Sequence, residues 1–315
     1  MIAGWRMRAK ALLGTLVEIS LPYSAEATFL RATNLAFSRI EAIHHAMSFH
    51  EATSDVRAIA SAAVGDVIAV SADTWQTLLL AQAFERDSHG AFNATIAPEL
   101  VARGLLPAPV APLHPPSAAS LASSIALEPL DRVRVLQPVW IDLGGIAKGY
   151  AVDAAVAALA DAGAAAGVVN AGGDLRVFGS ARHTLSLRIP SAPAANIDVA
   201  ELKDLSCATS GGYFIDSGNT MASNAHPAII GTRAASMSAA ASVSVIAARC
   251  AVADALTKVL WLLGGEDPLC RALLARHSAS AVLLGPGGAT TRISGYGRPP
   301  VGCSPEKRSA SGSPG

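Results

Sequence analysis

The sequence predicts a globular protein built from both helices and strands, and three stretches support that prediction. Residues 16–21 alternate Leu, Glu and Ser with Val, Ile and Leu, the period of a strand that buries one face. Residues 25–47 space their apolar side chains as an amphipathic helix does. Residues 140–160 pass from an apolar strand through a glycine turn into an Ala-rich helix.

Composition sets limits on the class of protein. The chain has 315 residues, 51% of them hydrophobic and 15% charged, which is enough apolar material for a large core. The formal net charge of +0 gives no electrostatic reason to expect nucleic acid or an anionic membrane as a partner. No uninterrupted apolar run is long enough to span a bilayer. The cysteines stand far apart, which favours small buried hydrophobes over a zinc cluster or a disulfide framework (Cys207, Cys250, Cys270 and Cys303).

The N-terminal segment has two interpretations. Arg6, Arg8 and Lys10 precede the apolar run 11–21, as in a signal peptide. Glu18 and the alternation around it favour a half-buried strand instead. Neither a lipoprotein cysteine nor a cleavage site is visible, so we expect a cytoplasmic protein as the sequence is written. A periplasmic location is expected if a leader is missing from this chain.

Two helices are predicted before the glycine turn. The first covers residues 25–47, with Phe29, Leu35, Ile40 and Ile43 at helical spacing. The pair 44–45 near its end consists of histidines, and neighbours on a helix point apart, so a surface role is favoured over a metal site. The second helix covers residues 74–88. Beyond it, the Pro-rich stretch 107–123 predicts an extended surface connection.

The glycine turn itself is a candidate anion site. Val139–Ile141 is predicted as a strand, Gly144 and Gly145 as the turn, and the following residues as a helix. Glycines let the backbone approach a ligand closely, and a helix start presents unpaired amides at the positive end of the helix dipole. Charged residues flank this pole (Asp142, Lys148 and Asp153). A helix cap with surface charges is the alternative.

Four further segments follow in order. A buried strand at 168–169 ends on Asn170, Gly172 and Gly173, which suits either a ligand that approaches the backbone or a tight hairpin. Residues 185–189 alternate as a strand, and residues 209–213 offer hydroxyls and amides to a pyrophosphate or form an ordinary turn. A helix at 248–263 places Val252, Leu256, Val259 and Leu263 on one face. From residue 285 the periodicity is lost, and from about 298 we expect a disordered tail.

Several motifs together resemble one family. Residues 142–153, Asp-Leu-Gly-Gly-Ile-Ala-Lys-Gly-Tyr-Ala-Val-Asp, resemble the signature of the ApbE family, the FAD:protein FMN transferases. Other motifs follow in the family's order (13–15, 47–54, 90–95, 170–174, 208–211, His226 and 253–256). Together they cover about 12–265. The resemblance implies an α+β fold, a T-fold-like duplication in which two lobes enclose a flavin. Residues 1–297 then form one catalytic domain, with 107–123 as an insertion loop.

The resemblance also implies a set of residues that bind FAD. These are Leu13, His50, Ala91, Phe92, Asn93, Asp142, Lys148, Gly172, Gly173, Ser210, Gly211 and Pro227. The chain departs from the family pattern at His50, where the family has an aromatic Tyr, and at Asn93, where it usually has Asp. An imidazole can still stack on the isoalloxazine. If the turn around Asn93 only packs, Phe92 is a core anchor and Asn93 an ordinary turn residue.

A metal site is implied by the same resemblance. The family holds Mg²⁺ with an aspartate, a hydroxyl four residues later and a carbonyl of the glycine turn. These correspond here to Asp254 and Gly145, but the +4 position is Lys258, and Thr257 offers its hydroxyl one residue earlier. Three alternatives are open: Thr257 replaces the usual hydroxyl, Lys258 supplies positive charge to the phosphates, or Asp254 and Lys258 form an i,i+4 surface ion pair.

The implied reaction transfers FMN from FAD to a threonine of an acceptor protein, with release of AMP. Catalytic roles fall to Asp254 and to His226, whose imidazole can act as general base for the threonine hydroxyl. The segment after His226 departs from the family pattern. Two alternatives are an FAD pyrophosphatase that gives FMN and AMP, and an FAD-binding protein without catalysis. A dinucleotide-binding oxidoreductase is disfavoured, because spaced glycines do not follow the first strand.

Overall fold

The computed structural model describes residues 4–109, 115–117, 119–189, 192–211 and 241–294. Its helices are α1 (Glu26–Met47), α2 (Asp55–Ser61), α3 (Ala72–Asp87), α4 (Ala97–Ala102), α5 (Leu121–Ser124), α6 (Ala147–Asp161), α7 (Cys250–Leu263) and α8 (Pro268–Arg276). Its strands are β1 (Trp5–Leu12), β2 (Thr15–Pro22), β3 (Val67–Ala69), β4 (Ile125–Glu128), β5 (Arg132–Val135), β6 (Ala166–Ala171), β7 (Asp174–Gly179), β8 (His183–Ile189), β9 (Ala192–Leu202), β10 (Ser206–Gly211), β11 (Ser242–Ala247), β12 (Ser280–Leu284) and β13 (Thr290–Ser294).

One antiparallel sheet organises the molecule. It has eight strands in the order β1-β2-β6-β7-β10-β11-β12-β13. The β1–β2 hairpin joins the later strands through β6, with Val17 opposite Ala171. The chain therefore leaves this sheet after β2 and returns at β6. The turns that connect β1 to β2 and β6 to β7 meet at one end of the sheet, where the candidate site lies.

Both faces of this sheet are covered. Helices α1, α6 and α7 pack on one face, where the main core includes Ile40, Val152 and Trp261. The β8–β9 hairpin covers the other face and forms a second core with Val177 and Leu187. Successive residues of one strand thus point into different cores, since side chains alternate across a strand. This explains why the sequences of β6 and β11 consist almost entirely of apolar or small residues.

A smaller unit, made of a three-stranded sheet and helix α3, lies beside the turn that carries Phe92. Its three-stranded sheet has the order β3-β5-β4. Helix α3 is held to it by the indole of Trp75, which donates a hydrogen bond to the Glu128 carbonyl at 2.9 Å. At the other end of α3, the Ser88 hydroxyl accepts a hydrogen bond from the Phe92 amide at 2.8 Å. The smaller unit therefore fixes the turn that carries Phe92.

The structure confirms most of the predicted elements. Predicted helices correspond to α1, α3, α6 and α7, and predicted strands to β2, β6 and β8. Cys207, Cys250 and Cys270 are buried, as expected. No helix in the described part of the chain is long and apolar enough to cross a membrane.

Four predictions about local structure are wrong. Val139–Ile141 is buried but irregular, because its backbone joins no strand ladder. Leu35 lies on the outer face of α1 and is 50% exposed, although its spacing placed it with the core. Residues 290–294 form β13, whose partner β12 supplies the pairing that a one-strand pattern does not reveal. The connection 107–123 ends earlier than predicted, since Leu121 begins α5 and its amide donates to Glu85.

Helix α7 also differs from the predicted one-faced helix. It is buried on nearly every side, because it packs against the sheet, α6 and α8. The predicted tail from 298 lies outside the described residues.

Candidate active site

The first turns of helices α6 and α7 lie against each other. Gly149 is the third residue of α6 and Cys250 the first of α7. A Cβ atom on Gly149 would lie 2.4 Å from the Cys250 carbonyl oxygen, so only glycine allows this approach. The glycine of the Ala-Lys-Gly segment is therefore required by helix packing.

Each of these two helices caps the other with an aspartate. Neither Ile146 before α6 nor Arg249 before α7 supplies a side-chain cap. Asp153 of α6 accepts hydrogen bonds from the amides of Cys250 and Ala251, at 2.9 and 3.1 Å. Asp254 of α7 accepts one from the Gly149 amide at 3.0 Å. Two positive helix ends thus converge, each partly compensated by a carboxylate from the other helix.

Two lysines complete a buried charge cluster at these helix ends. Lys148 is hydrogen-bonded to the Asp174 carboxylate, and Lys258 to the Asp254 carboxylate. Asp254 is 0% exposed, while the side chains of Lys148 and Lys258 are 34% and 17% exposed. The carboxylates therefore form the floor of the cluster, and the ammonium groups lie nearer to solvent.

The charge states follow from this arrangement. Burial lowers the pKa of Lys148, but the charges of Asp174 and Asp254 outweigh it, so the net shift is upward. For Asp174, burial raises the pKa and the Lys148 charge opposes that rise without cancelling it. Lys148 is therefore a cation throughout the physiological range.

The glycine turn lies directly beside this cluster. A Cβ atom on Gly145 would lie 3.7 Å from Cε of Lys258 and 3.3 Å from Cε2 of Phe92. The Asp142 carboxylate accepts a hydrogen bond from the Gly144 amide at 3.1 Å. Desolvation raises the pKa of Asp142, while the Gly144 hydrogen bond and the charges of His50 and Lys258 lower it. The turn is thus closed by its own aspartate.

The turn that carries Ala91, Phe92 and Asn93 is joined to the glycine turn. The Ala94 carbonyl accepts a hydrogen bond from the Asp142 amide at 2.8 Å. Asn93 closes its own turn, because its Oδ1 accepts from the Thr95 amide at 2.7 Å and the Thr95 hydroxyl at 2.9 Å. Both bonds go to a side-chain oxygen that asparagine and aspartate share. Asn93 can therefore replace the family's usual Asp in this turn. Ala91 is half-buried and Phe92 is buried.

His50 lies on the open side of the site. Its neighbour Phe49 is buried against Trp140, with ring centroids 6.4 Å apart, which places the loop next to the glycine turn. The His50 ring itself is exposed, and its charge lowers the pKa of Asp142. The sequence prediction of a ring that faces a ligand is compatible with this position.

Leu13, Gly172 and Gly173 belong to two hairpin turns that touch. Leu13 has a φ of 56° in the β1–β2 turn, and Gly172 and Gly173 have φ of 63° and 101° between β6 and β7. A Cβ atom on Gly172 would lie 2.4 Å from Oγ1 of Thr15. Gly172 and Gly173 form the turn of the β6–β7 hairpin, and their contact with a ligand stays a prediction. Asp174, directly after this turn, connects it to Lys148.

Ser210 and Thr257 connect β10 to α7. Their hydroxyl oxygens are 2.8 Å apart, and the Thr257 hydroxyl also donates to the Asp254 carbonyl at 2.7 Å. Thr257 is 0% exposed. Gly211, the last residue of β10, is half-buried. His226 and Pro227 lie outside the described residues.

The described candidate residues thus form a contiguous set. Contacts run from Thr15 through Gly172, Asp174 and Lys148 to the start of α6, and from there through Asp254 and Lys258 to Gly145. The sequence shows the charge of Asp153 but not its role. Its position two turns into α6, facing the start of another helix, could not be read from local spacing.

The model of the ApbE family matches residues 13–283, which is most of the chain. The chain belongs to the ApbE family. A comparison with curated protein sequences found no match.

Solved structures share the fold of this ApbE protein. The ApbE protein of Thermotoga maritima is 26% identical, with a TM-score of 0.73 over 91% of this chain and 96% of that one. The flavin transferase ApbE of Vibrio cholerae is 19% identical, with a TM-score of 0.71 over 91% and 96%. The flavinyl transferase ApbE of Pseudomonas stutzeri is 19% identical, with a TM-score of 0.68 over 92% and 95%. The predicted α+β ApbE fold is confirmed; the enclosure of a flavin by two lobes stays a prediction.

Proposed function

We propose that this ApbE protein transfers the FMN moiety of FAD to a threonine hydroxyl of an acceptor protein and releases AMP. The observation that supports this most directly is the meeting of two helix N-termini, two lysines and a glycine turn at one point. The positive ends of helices and ammonium groups both attract and bind the anionic oxygens of a pyrophosphate. Family membership and the names of the Vibrio and Pseudomonas structures support the flavin as the group transferred.

The reaction balances as a phosphoryl-type substitution. The threonine oxygen forms a bond to the phosphorus of the FMN half. The bond from that phosphorus to the bridging oxygen breaks, and AMP leaves with the bridging oxygen and its electron pair. The hydroxyl proton passes to a base, for which we propose His226. The Lys148 ammonium group, at the positive end of α6, would hold the pyrophosphate and stabilise the charge on the departing AMP.

The other predicted FAD contacts keep their proposed roles. His50 would face the flavin ring, and Ala91, Phe92 and Asn93 would shape the wall beside it. Leu13, Gly172 and Gly173 would line the end of the sheet, and Ser210, Gly211 and Pro227 would lie beside the phosphates. The Ser210 hydroxyl and the Asn93 amide oxygen are already paired within the protein, so they define the shape of the site and add no charge.

Magnesium dependence is a separate prediction of the family resemblance, with Gly145, Asp254 and Thr257 as the donors. The geometry of these residues fits a metal poorly. One Asp254 oxygen is bonded to the Lys258 ammonium and the other to the Gly149 amide. The Thr257 hydroxyl is bonded to Ser210 and to the Asp254 carbonyl. Magnesium demands octahedral oxygen donors and usually retains waters, so we derive no step through it.

The decisive experiment follows both products of the reaction. The purified chain is incubated with FAD and Mg²⁺, with and without an acceptor domain that is competent for flavinylation. AMP release and flavin fluorescence on the denatured acceptor are measured together. Covalent flavin with AMP supports the transferase. AMP with free FMN and an unlabelled acceptor would assign an FAD pyrophosphatase, and neither product would indicate an FAD-binding protein without catalysis.

The same assay tests His226. We expect His226→Ala to lose transfer by about a hundredfold or more, the usual contribution of a general base, while FAD affinity stays the same. His45→Ala is the matched control, because His45 is an exposed histidine on α1 whose ring lies 3.3 Å from the Thr53 hydroxyl and 3.7 Å from the Glu51 carboxylate. Equal loss in both variants would remove His226 from its proposed role.

A further inference from the structure

The cation that contacts Asp254 is part of the protein chain. Lys258 lies one helical turn after Asp254 on α7, and its ammonium group is hydrogen-bonded to the Asp254 carboxylate. The carboxylate is completely buried and held on its other oxygen by the Gly149 amide. Lys258 therefore occupies the Asp254 oxygen that the Gly149 amide leaves free.

Lys258 also lies beside the glycine turn, where the proposed function places the pyrophosphate. Its aliphatic stem packs beside Gly145, because a Cβ atom there would lie 3.7 Å from both Cγ and Cε of Lys258. Phe92 lies on the other side of that position. The Lys258 charge also acts on the carboxylates of Asp142 and Asp174, where it opposes the rise in pKa that burial causes.

The charges of the cluster explain why a metal would be disfavoured. Asp174 and Asp254 are matched by Lys148 and Lys258, so the buried pairs are neutral before any ligand binds. A divalent cation at Asp254 would have to displace an ammonium group and then lie beside it. An ammonium group has three donor hydrogens, so Lys258 can keep its bond to Asp254 and donate to a phosphate oxygen at the same time.

We infer that Lys258 is the cation that faces the pyrophosphate of FAD in this protein, in place of a divalent metal. The inference rests on the proposed function for its substrate. In the transfer step, Lys258 donates a hydrogen bond to a phosphate oxygen of the departing AMP. No proton, electron or covalent bond is exchanged with Lys258, so the balance of the reaction is unchanged. FAD binding and FMN transfer then proceed in the presence of a metal chelator.

The test starts with the wild-type chain and needs no variant. FAD affinity is measured by flavin fluorescence in EDTA and in millimolar Mg²⁺, and Mg²⁺ alone is titrated into the chelator-treated protein by calorimetry. We expect equal FAD affinity in both buffers and no heat of Mg²⁺ binding. Mg²⁺ binding accompanied by a loss of FAD affinity in EDTA would overturn the inference.

Variants of Lys258 sharpen the test. In EDTA, Lys258→Thr should weaken FAD binding by about tenfold to a hundredfold, the value of one hydrogen bond between charged groups. Lys258→Thr should also gain Mg²⁺ binding, because it restores a hydroxyl four residues after Asp254. Lys258→Arg should retain most of the FAD affinity in EDTA. The matched control is Lys203→Thr, an exposed lysine between β9 and β10. Unchanged FAD affinity in folded Lys258→Thr would refute the role.

The failures of the two proposals are distinguishable. Transfer that occurs in Mg²⁺ and is abolished by EDTA would keep the proposed function and reject the role of Lys258. Absence of transfer with every acceptor and in every buffer would reject the proposed function. The affinity of wild type and Lys258→Thr for FAD in EDTA would still decide whether Lys258 faces the pyrophosphate.

Discussion

Asp153→Ala should destabilise the protein far more than the loss of a surface charge does. Its carboxylate accepts hydrogen bonds from the amides of Cys250 and Ala251, at 2.9 and 3.1 Å, and from the Arg176 guanidinium at 2.7 Å. A helix cap contributes about 0.5–2 kcal/mol, and removing one partner of a fully buried ion pair costs about 3–5 kcal/mol. The Asp153–Arg176 pair, with side chains 11% and 23% exposed, falls at or below the lower end of that range. Because these contributions overlap, we expect a loss of about 3 kcal/mol in the free energy of unfolding.

Thermal and urea unfolding measure this loss directly. A change of about 3 kcal/mol corresponds to a fall in Tm of roughly 6–12 °C for a domain of this size. Asp161→Ala is the matched control, because Asp161 is the exposed last residue of the same helix, where a negative charge is unfavourable or neutral. Asp153→Asn should lie between the two variants, since its amide oxygen can keep one cap bond. Equal Tm values for Asp153→Ala and Asp161→Ala would refute the capping role.

Three further outcomes are expected. Gly149→Ala should lose about 3 kcal/mol or more of stability by overpacking against α7, whereas Gly285→Ala, whose new Cβ would meet nothing closer than 3.7 Å, should stay within about 0.5 kcal/mol; equal urea midpoints would contradict the close helix contact. The pKa of Asp142 is raised in the folded state above its usual value of 3.8, so wild-type stability should fall as the pH rises above that value. Asp142→Asn should remove that fall, and parallel stability profiles of the two proteins would show that the shift is absent. Asn93→Asp should stay within about 0.5 kcal/mol because both of its turn bonds are kept, while Asn93→Ala should lose about 1–2 kcal/mol; thermal unfolding that ranks them otherwise would exclude the turn role.

The main helices were predictable because their signal is local. Helices α6 and α7 keep apolar side chains at helical spacing, and the Gly144-Gly145 turn before α6 is visible in the sequence. Val139–Ile141 shows the limit of this reasoning. An apolar run of three residues is equally typical of a strand and of buried irregular chain, and only a partner strand decides between them. The backbone after it bonds instead to Ala94 in another turn.

The roles of individual charges were less predictable for the same physical reason. Asp153 and Asp254 each act on a helix that lies far away in the chain, so spacing along one helix shows only that a charge is present. The sequence did contain the signal for Lys258, since a lysine stands where the family has a hydroxyl. The burial of Asp254 excludes the surface pair, and the position of Lys258 beside Gly145 supports the inference that Lys258 is the cation for the phosphates.

Reciprocal capping also explains how two distant motifs can act as one site. A shift of α7 along its axis would lengthen the Asp254–Gly149 bond at the start of α6 and the Asp153–Cys250 bond at its own start. The two bonds therefore fix the position of Lys258 relative to the glycine turn, in a way that one bond would not. Because Gly149 permits the contact and the two aspartates orient it, the placement of the ammonium group depends on packed backbone rather than on a mobile loop. Such rigidity is what a preorganised cation needs in order to stabilise the charge that develops on a leaving phosphate.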